Sequence, residues 1–176
     1  MIYENVDWNK YKYVYVAAFS KTGKTRRLQA KVAKWLNPRG MFSRLIQRYV
    51  PLPVSTGLFN AETWQFRQQQ LDWAKNEYKG KFAVVLLIPT YLPTRAEKEQ
   101  GIGVVPELLK KAVLELTKGV PSKDVFIIGT GNRRFGPDYG LAAKKIAAGL
   151  GVPEENLVLT ENDLWPPMGC GPNGFM

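Results

Sequence analysis

The stretch DVFIIGTGNRRFGPDYG, Asp124 to Gly140, limits the fold more than any other part of the chain. A short apolar strand runs into a glycine-rich polar loop, and helix-compatible sequence follows. The opening KYVYVAAFSKTGKT, Lys12 to Thr25, repeats this plan. Phe82 to Ile88 is nearly all apolar, as befits a strand buried on both faces of a parallel sheet. Loops leaving parallel strands gather at one edge of the sheet, where open α/β proteins bind ligands.

Hydrophobic periodicity supplies the remaining elements. Tyr13–Phe19, Val50–Ser55, Phe82–Ile88, Asp124–Ile128 and Leu157–Leu159 read as strands. The prolines in Val50–Ser55 suit an edge strand only. Arg26–Leu36, Ala61–Tyr78, Val105–Lys118 and Tyr139–Leu150 read as helices, and Met41–Tyr49 as a further short one. Asn37-Pro38-Arg39-Gly40 stops the first helix and Gly151 the last. Pro93–Gly103 is a polar excursion, and the tail from Pro166 is irregular. Right-handed crossovers place helices on both faces of such a sheet. The expectation is one domain, residues 1–176, built as a three-layer α/β/α sandwich around five parallel strands, with an expanded helical region at about 38–79. Periodicity alone leaves the strand order open.

Composition narrows the chemistry. The chain has no histidine, which excludes Ser-His-Asp and Cys-His catalysis. A single cysteine, Cys170, excludes an intrachain disulfide and a zinc site made of several thiolates. No apolar run approaches the roughly 18 residues of a membrane span. The start MIYENVDWNK has no apolar signal core, so a cytoplasmic location is expected. The net charge is +10, and between Ser20 and Val50 stand Lys21, Lys24, Arg26, Arg27, Lys31, Lys34, Arg39, Arg44 and Arg48 with no acid. Such a field favours an anionic partner: a phosphate compound, an acidic protein or a nucleic acid.

Three loops carry the candidate chemistry. Ser20, Lys21, Thr22, Gly23, Lys24 and Thr25 link a strand to a helix, where free N–H groups and the helix dipole favour a phosphate. Gly-Lys-Thr also ends a nucleotide-binding P-loop, but that pattern needs glycine where Ala18 stands. The bland alternative is a hydroxyl cap on a basic helix. Pro89, Thr90 and Tyr91 follow a buried strand, with Tyr91 placed to pack in the core or to lie against a planar ring. Gly129, Thr130, Gly131, Asn132, Arg133, Arg134, Phe135 and Gly136 form the third loop. Its glycines admit close backbone approach, and Asn132 can bond heterocycle edges.

Together these loops resemble the flavodoxin-like NrdI family, which activates the manganese form of class Ib ribonucleotide reductase. SKTGKT is similar to the flavodoxin phosphate loop, LLIPTY with GVVPELLKKAV to the family's second strand-loop-helix unit, and GTGNRRFGPDYGLAAKKIAAGLGVP to its Ser-Gly-Asn-Arg-Asn-Phe-Gly loop and helix. The resemblance covers Tyr13–Leu36, Phe82–Leu116 and Val125–Leu164. Arg134 replaces the motif's second asparagine, and Thr160–Trp165 departs from the family's closing segment.

The resemblance implies a flavodoxin-like strand order, 2-1-3-4-5, and one FMN. Ser20 to Thr25 would hold the phosphate, while Pro89 to Tyr91 and Thr130 to Phe135, with Gly136, would flank the ring. Gly131 is the glycine whose peptide would respond to reduction; no side chain is implied as catalytic. Lys21, Lys24, Arg133 and Arg134 would favour an anionic reduced flavin. The implied role is a redox accessory protein, reduced by a flavodoxin reductase or similar donor, that makes an oxidant from oxygen for the small reductase subunit. A general flavodoxin electron carrier and a flavin-less basic module for nucleic acid or acidic protein are the alternatives.

Overall fold

Residues that alternate between two buried faces build the sheet. The computed structural model describes residues 6–20, 24–36, 45–51 and 61–161. Strands β1 (Tyr13–Ser20), β2 (Leu45–Pro51), β3 (Phe82–Pro89), β4 (Val125–Gly131) and β5 (Leu157–Glu161) lie in the order β2-β1-β3-β4-β5. All four pairings are parallel.

The fold expected from sequence needs correction at its second strand. Leu45–Pro51 pairs with β1, Val14 opposite Leu45 and Ser20 opposite Pro51. Residues 45–49 are therefore strand, not the end of a Met41–Tyr49 helix, and only Val50 and Pro51 of the expected Val50–Ser55 strand belong to β2. The remaining residues of both segments, 41–44 and 52–55, lie outside the described residues. Pairing with the open side of β1 overrides the helix preference of Leu, Gln and Arg. Pro51 is tolerated as the last residue of an edge strand.

Two cores flank the sheet. Helix α1 (Lys24–Leu36) buries Leu28, Val32, Trp35 and Leu36 against Val14, Val16 and Ala18 of β1 and the matching residues of β3 and β4. On the other face, α2 (Ala61–Glu77) contributes Leu71 and Ala74, α4 (Glu107–Thr117) Leu109, Ala112, Val113 and Leu116, and α5 (Leu141–Leu150) Ala142, Ala143, Ile146 and Ala147. The small residues of α5 let it ride close on β4: a Cβ on Gly129 would fall 2.7 Å from that of Ala143. Gly151, at φ +65°, closes α5 by donating to the carbonyls of Ala147 and Ala148, a left-handed cap that glycine takes without a Cβ clash.

The amino-terminal ends of the strands are closed by polar groups that the sequence reading passed over. A 3-10 turn at Trp8–Lys10 places Trp8 4.7 Å from the Phe126 ring and edge-on to Trp35. Tyr11 is fully buried, and its hydroxyl donates to Asp124 Oδ1 at 2.7 Å. Burial, then the bond and charge of Asp124, push the Tyr11 pKa far up. Lys10 Nζ stands 3.8 Å from the same carboxylate. Asn156 Nδ2 donates to the carbonyls of Lys123 and Val125, both at 3.0 Å.

Of the expected helical region at 38–79, α2 is described, and it ends one residue short of Tyr78. Trp73 on it is 59% exposed and edge-on to Tyr78, so that tryptophan adds little to the core. Lys75 Nζ donates to the Glu115 carbonyl at 3.0 Å, and burial lowers its pKa to about 8.

Candidate functional site

The three loops singled out by sequence leave neighbouring strands at the same, carboxyl-terminal edge. Ser20 ends β1, Pro89 ends β3 and Gly131 ends β4. The chain leaves β1 for β2 on one side and returns to β3 on the other. That reversal opens a crevice between β1 and β3, the usual ligand position in open α/β sheets.

Strand alternation orders the side chains there. Val14, Val16 and Ala18 face α1, so Ser20 does too. The same holds for Thr130 after Phe126 and Ile128, and for Thr160 after Val158. Pro89, Thr130 and Thr160 stand in register across β3, β4 and β5. A row of buried hydroxyls thus lines the α1 face at the strand ends, joined by buried Thr25 in the first turn of α1. One turn on, Gln29 Nε2 donates to the Val16 carbonyl at 3.0 Å and anchors α1 to β1. The first turn of α1 carries no acid, and Lys24 is exposed. Lys21, Thr22 and Gly23 lie outside the described residues.

Thr90 clasps the other two loops together. Its N–H donates to the Thr130 carbonyl at 2.6 Å and its hydroxyl to the same oxygen at 2.8 Å, while Oγ1 accepts from the Gly140 N–H at 3.0 Å. A Cβ on Gly131 would collide with the Thr90 side chain. Glycine is therefore required there by contact, whatever its backbone angles. Tyr91 is buried and donates to Glu97 Oε1 at 2.9 Å; burial first, then Glu97, pushes its pKa up to about 12. Glu97 also closes a capping box with Thr94 at the start of the short helix α3 (Arg95–Glu99).

After β4, Asn132 Oδ1 accepts from the Arg134 N–H at 2.8 Å and caps a 3-10 stretch, Arg133–Asp138, kinked at Gly136. Asn132, Arg133, Arg134 and Phe135 are exposed on it, Phe135 by 41%. The Arg133 N–H points to Glu161 Oε1 at 3.3 Å. Behind them, the Tyr139 hydroxyl is buried and its pKa is raised by burial and Glu161, against the pull of Arg133. Sequence reasoning missed Tyr139 and Glu161 as site residues. The strand order holds the signal for Glu161, which stands beside Gly131.

The sequence profile described as "NrdI Flavodoxin like" matches residues 15–157. The chain belongs to the NrdI flavodoxin-like family. Over 71 residues it is 42% identical to Protein NrdI of Bartonella tribocorum (strain CIP 105476 / IBS 506), a match covering 39% of this chain and 47% of that protein. The matched part is thus about half the length of that curated relative. Among the described residues, no helix is long and apolar enough to cross a membrane, and no cluster of acidic, Cys or His side chains could hold a metal ion.

The donor set fits a phosphorylated, planar cofactor better than a bare ion. Thr130 is fully buried, and its Oγ1 has no hydrogen-bond partner in the described structure. Leaving a buried hydroxyl unpaired costs about 1–3 kcal/mol, a penalty that a ligand's polar chain at this edge would remove. The acid-free start of α1 beside Ser20 suits a phosphate, and exposed Phe135 offers an aromatic face.

Proposed function

We propose that this chain binds FMN at the carboxyl-terminal edge of its sheet and serves class Ib ribonucleotide reductase as a redox accessory protein rather than a turnover enzyme. The unpartnered Thr130 hydroxyl, set within a row of buried hydroxyls beside the acid-free start of α1, is the observation that carries the reading. Ser20 to Thr25 hold the phosphate, Ser20 and Thr25 through hydroxyls and the first turn of α1 through N–H groups. Thr130 hydrogen-bonds the polar chain of the ligand. Pro89, Thr90, Tyr91, Gly131 and Asn132 border the ring, Arg133 and Phe135 stand at its rim, and Gly136 turns the loop back. The Thr90 clasp keeps the Thr130–Gly131 peptide fixed, so the peptide free to reorient is the one after Gly131.

When bound, FMN supplies the redox chemistry: electrons from a flavodoxin reductase or similar donor pass to oxygen, and the oxidant goes to the dimanganese centre of the small reductase subunit. The work takes place in the cytoplasm, and residues 1–176 act as one domain. The first test is the visible absorption of the purified chain before and after loading with FMN and removal of the excess. Flavin retained at one per chain supports the site, and colourless protein after loading removes it. Activation of a manganese-loaded small subunit then separates this role from that of a general flavodoxin electron carrier.

A second reading has its own observation. Lys24, Arg27, Lys31 and Lys34 are all exposed along α1, at spacings of three and four residues that keep them on one side. A flavin-less module docking nucleic acid or an acidic protein through this stripe would bind steeply less well as salt rises.

A further inference from the structure

Helices α4 and α5, with residues 103–105 that lead into α4, enclose a surface groove of about 510 Å³. Val105, Val113, Leu114, Ile146 and Leu150 line it, together with Lys110 and Lys145, and none of the lining residues is acidic. Leu114 is 55% exposed on its wall. Lys110 has a carboxylate neighbour, Glu107, at 3.8 Å, but both side chains are well exposed and such pairs neutralise little. Lys145 makes no ion pair among the described residues.

Gly149 is the informative residue. It lies in the last turn of α5, is exposed, has an ordinary helical backbone, and a Cβ added to it would meet nothing within 4 Å. Neither packing nor backbone conformation demands glycine here, although glycine inside a helix costs roughly 1 kcal/mol against alanine. What it does is keep one side of the groove clear.

We propose that this groove docks a segment of a partner protein that presents apolar side chains flanked by carboxylates. Charge complementarity to Lys110 and Lys145 sets the sign. The open form sets the class: small molecules are held in pockets that bury most of their surface, whereas a peptide laid between two helices keeps one face in water. Gly149 lies about 13 Å along α5 from Gly140, at the end remote from the loops. The inference does not depend on flavin binding.

The test uses the full chain and two fluorescein-labelled amphipathic peptides, each with leucines on one face and either glutamates or lysines on the other. Fluorescence anisotropy should show saturable binding of the glutamate peptide, at least about tenfold tighter than the lysine peptide, as charge complementarity requires. Lys110→Glu with Lys145→Glu should weaken it about tenfold or more. Gly149→Gln should weaken it similarly while melting no lower than the parent, because glutamine is the better helix former. No binding of the glutamate peptide overturns the proposal, as do equal binding of both peptides and indifference to Gly149→Gln. Sodium decanoate that binds through the same lysines while the peptide does not would assign the groove to a small amphiphile and overturn it equally.

Discussion

The two ends of the sheet treat their polar groups in opposite ways. At the amino-terminal edge, Tyr11, Asp124, Lys10 and Asn156 satisfy one another or the backbone at 2.7 to 3.8 Å. At the carboxyl-terminal edge, the hydroxyl of Thr130 is buried without a partner among the described residues, and Asn132, Arg133, Arg134 and Phe135 stand exposed. Those four groups of one edge have spent their hydrogen-bonding capacity on the fold, whereas Thr130 at the other holds capacity in reserve. Folding alone favours the first arrangement everywhere, so the second points to a ligand.

The largest expected effect breaks the closed edge. Asp124→Ala strands the buried Tyr11 hydroxyl and should remove about 3 kcal/mol, lowering the thermal midpoint by roughly 6–12 °C. Flavin retention, measured well below that midpoint, should be unchanged. Loss of flavin from the folded variant would show that the two edges are coupled and would break the contrast.

Gly131→Ala attacks the open edge at its tightest contact. Its methyl must displace the Thr90 side chain, with an overpacking penalty of roughly 1–3 kcal/mol, and FMN retention should fall by about tenfold or more on losing the loop geometry. Equilibrium dialysis against FMN checks it.

Thr130→Val sharpens the comparison further. Removing an unpartnered hydroxyl should leave the thermal midpoint of the apoprotein within about 1 °C or raise it slightly. FMN affinity should still drop about tenfold through one lost hydrogen bond. A large loss of apoprotein stability would mean that this hydroxyl serves the fold after all.

The smallest effect lies away from both edges. Burial lowers the folded pKa of Lys75 to about 8 from an ordinary 10.5. Between these values the unfolded chain binds more protons, so this group adds stability as pH rises and withdraws it as pH falls through about 8. Urea midpoints of Lys75→Met against the parent should show the parent gaining on the variant across that window.

Where the sequence was readable, burial made it so. Phe82–Ile88 and Val125–Ile128 are apolar on both faces because both faces are covered, the pattern of a buried parallel strand. The ends of β3 and β4 then follow, and with them Pro89, Thr130 and Gly131. β2 was misplaced because Leu45–Pro51 carries no such pattern and is strand only by pairing with β1. Trp8 and Tyr11 escaped notice because a 3-10 turn has no period to detect; their partners lie on α1 and β4. The capping pair Thr94 and Glu97 was visible as Thr-x-x-Glu and would have marked α3. The Thr90 clasp could not be read, since it joins residues 40 and 50 positions apart.

The Tyr11–Asp124 bond spans 113 positions of chain, and this has a consequence for the order of assembly. During synthesis Tyr11 emerges 113 residues before its anchor Asp124. Until then Trp8 and Tyr11 have neither Phe126 nor Asp124 to pack against. Contacts of such separation form late and slow folding. Trp8 and Tyr11 are therefore made well before they are secured, and their ring contacts with Phe126 mark completion of the fold rather than its onset.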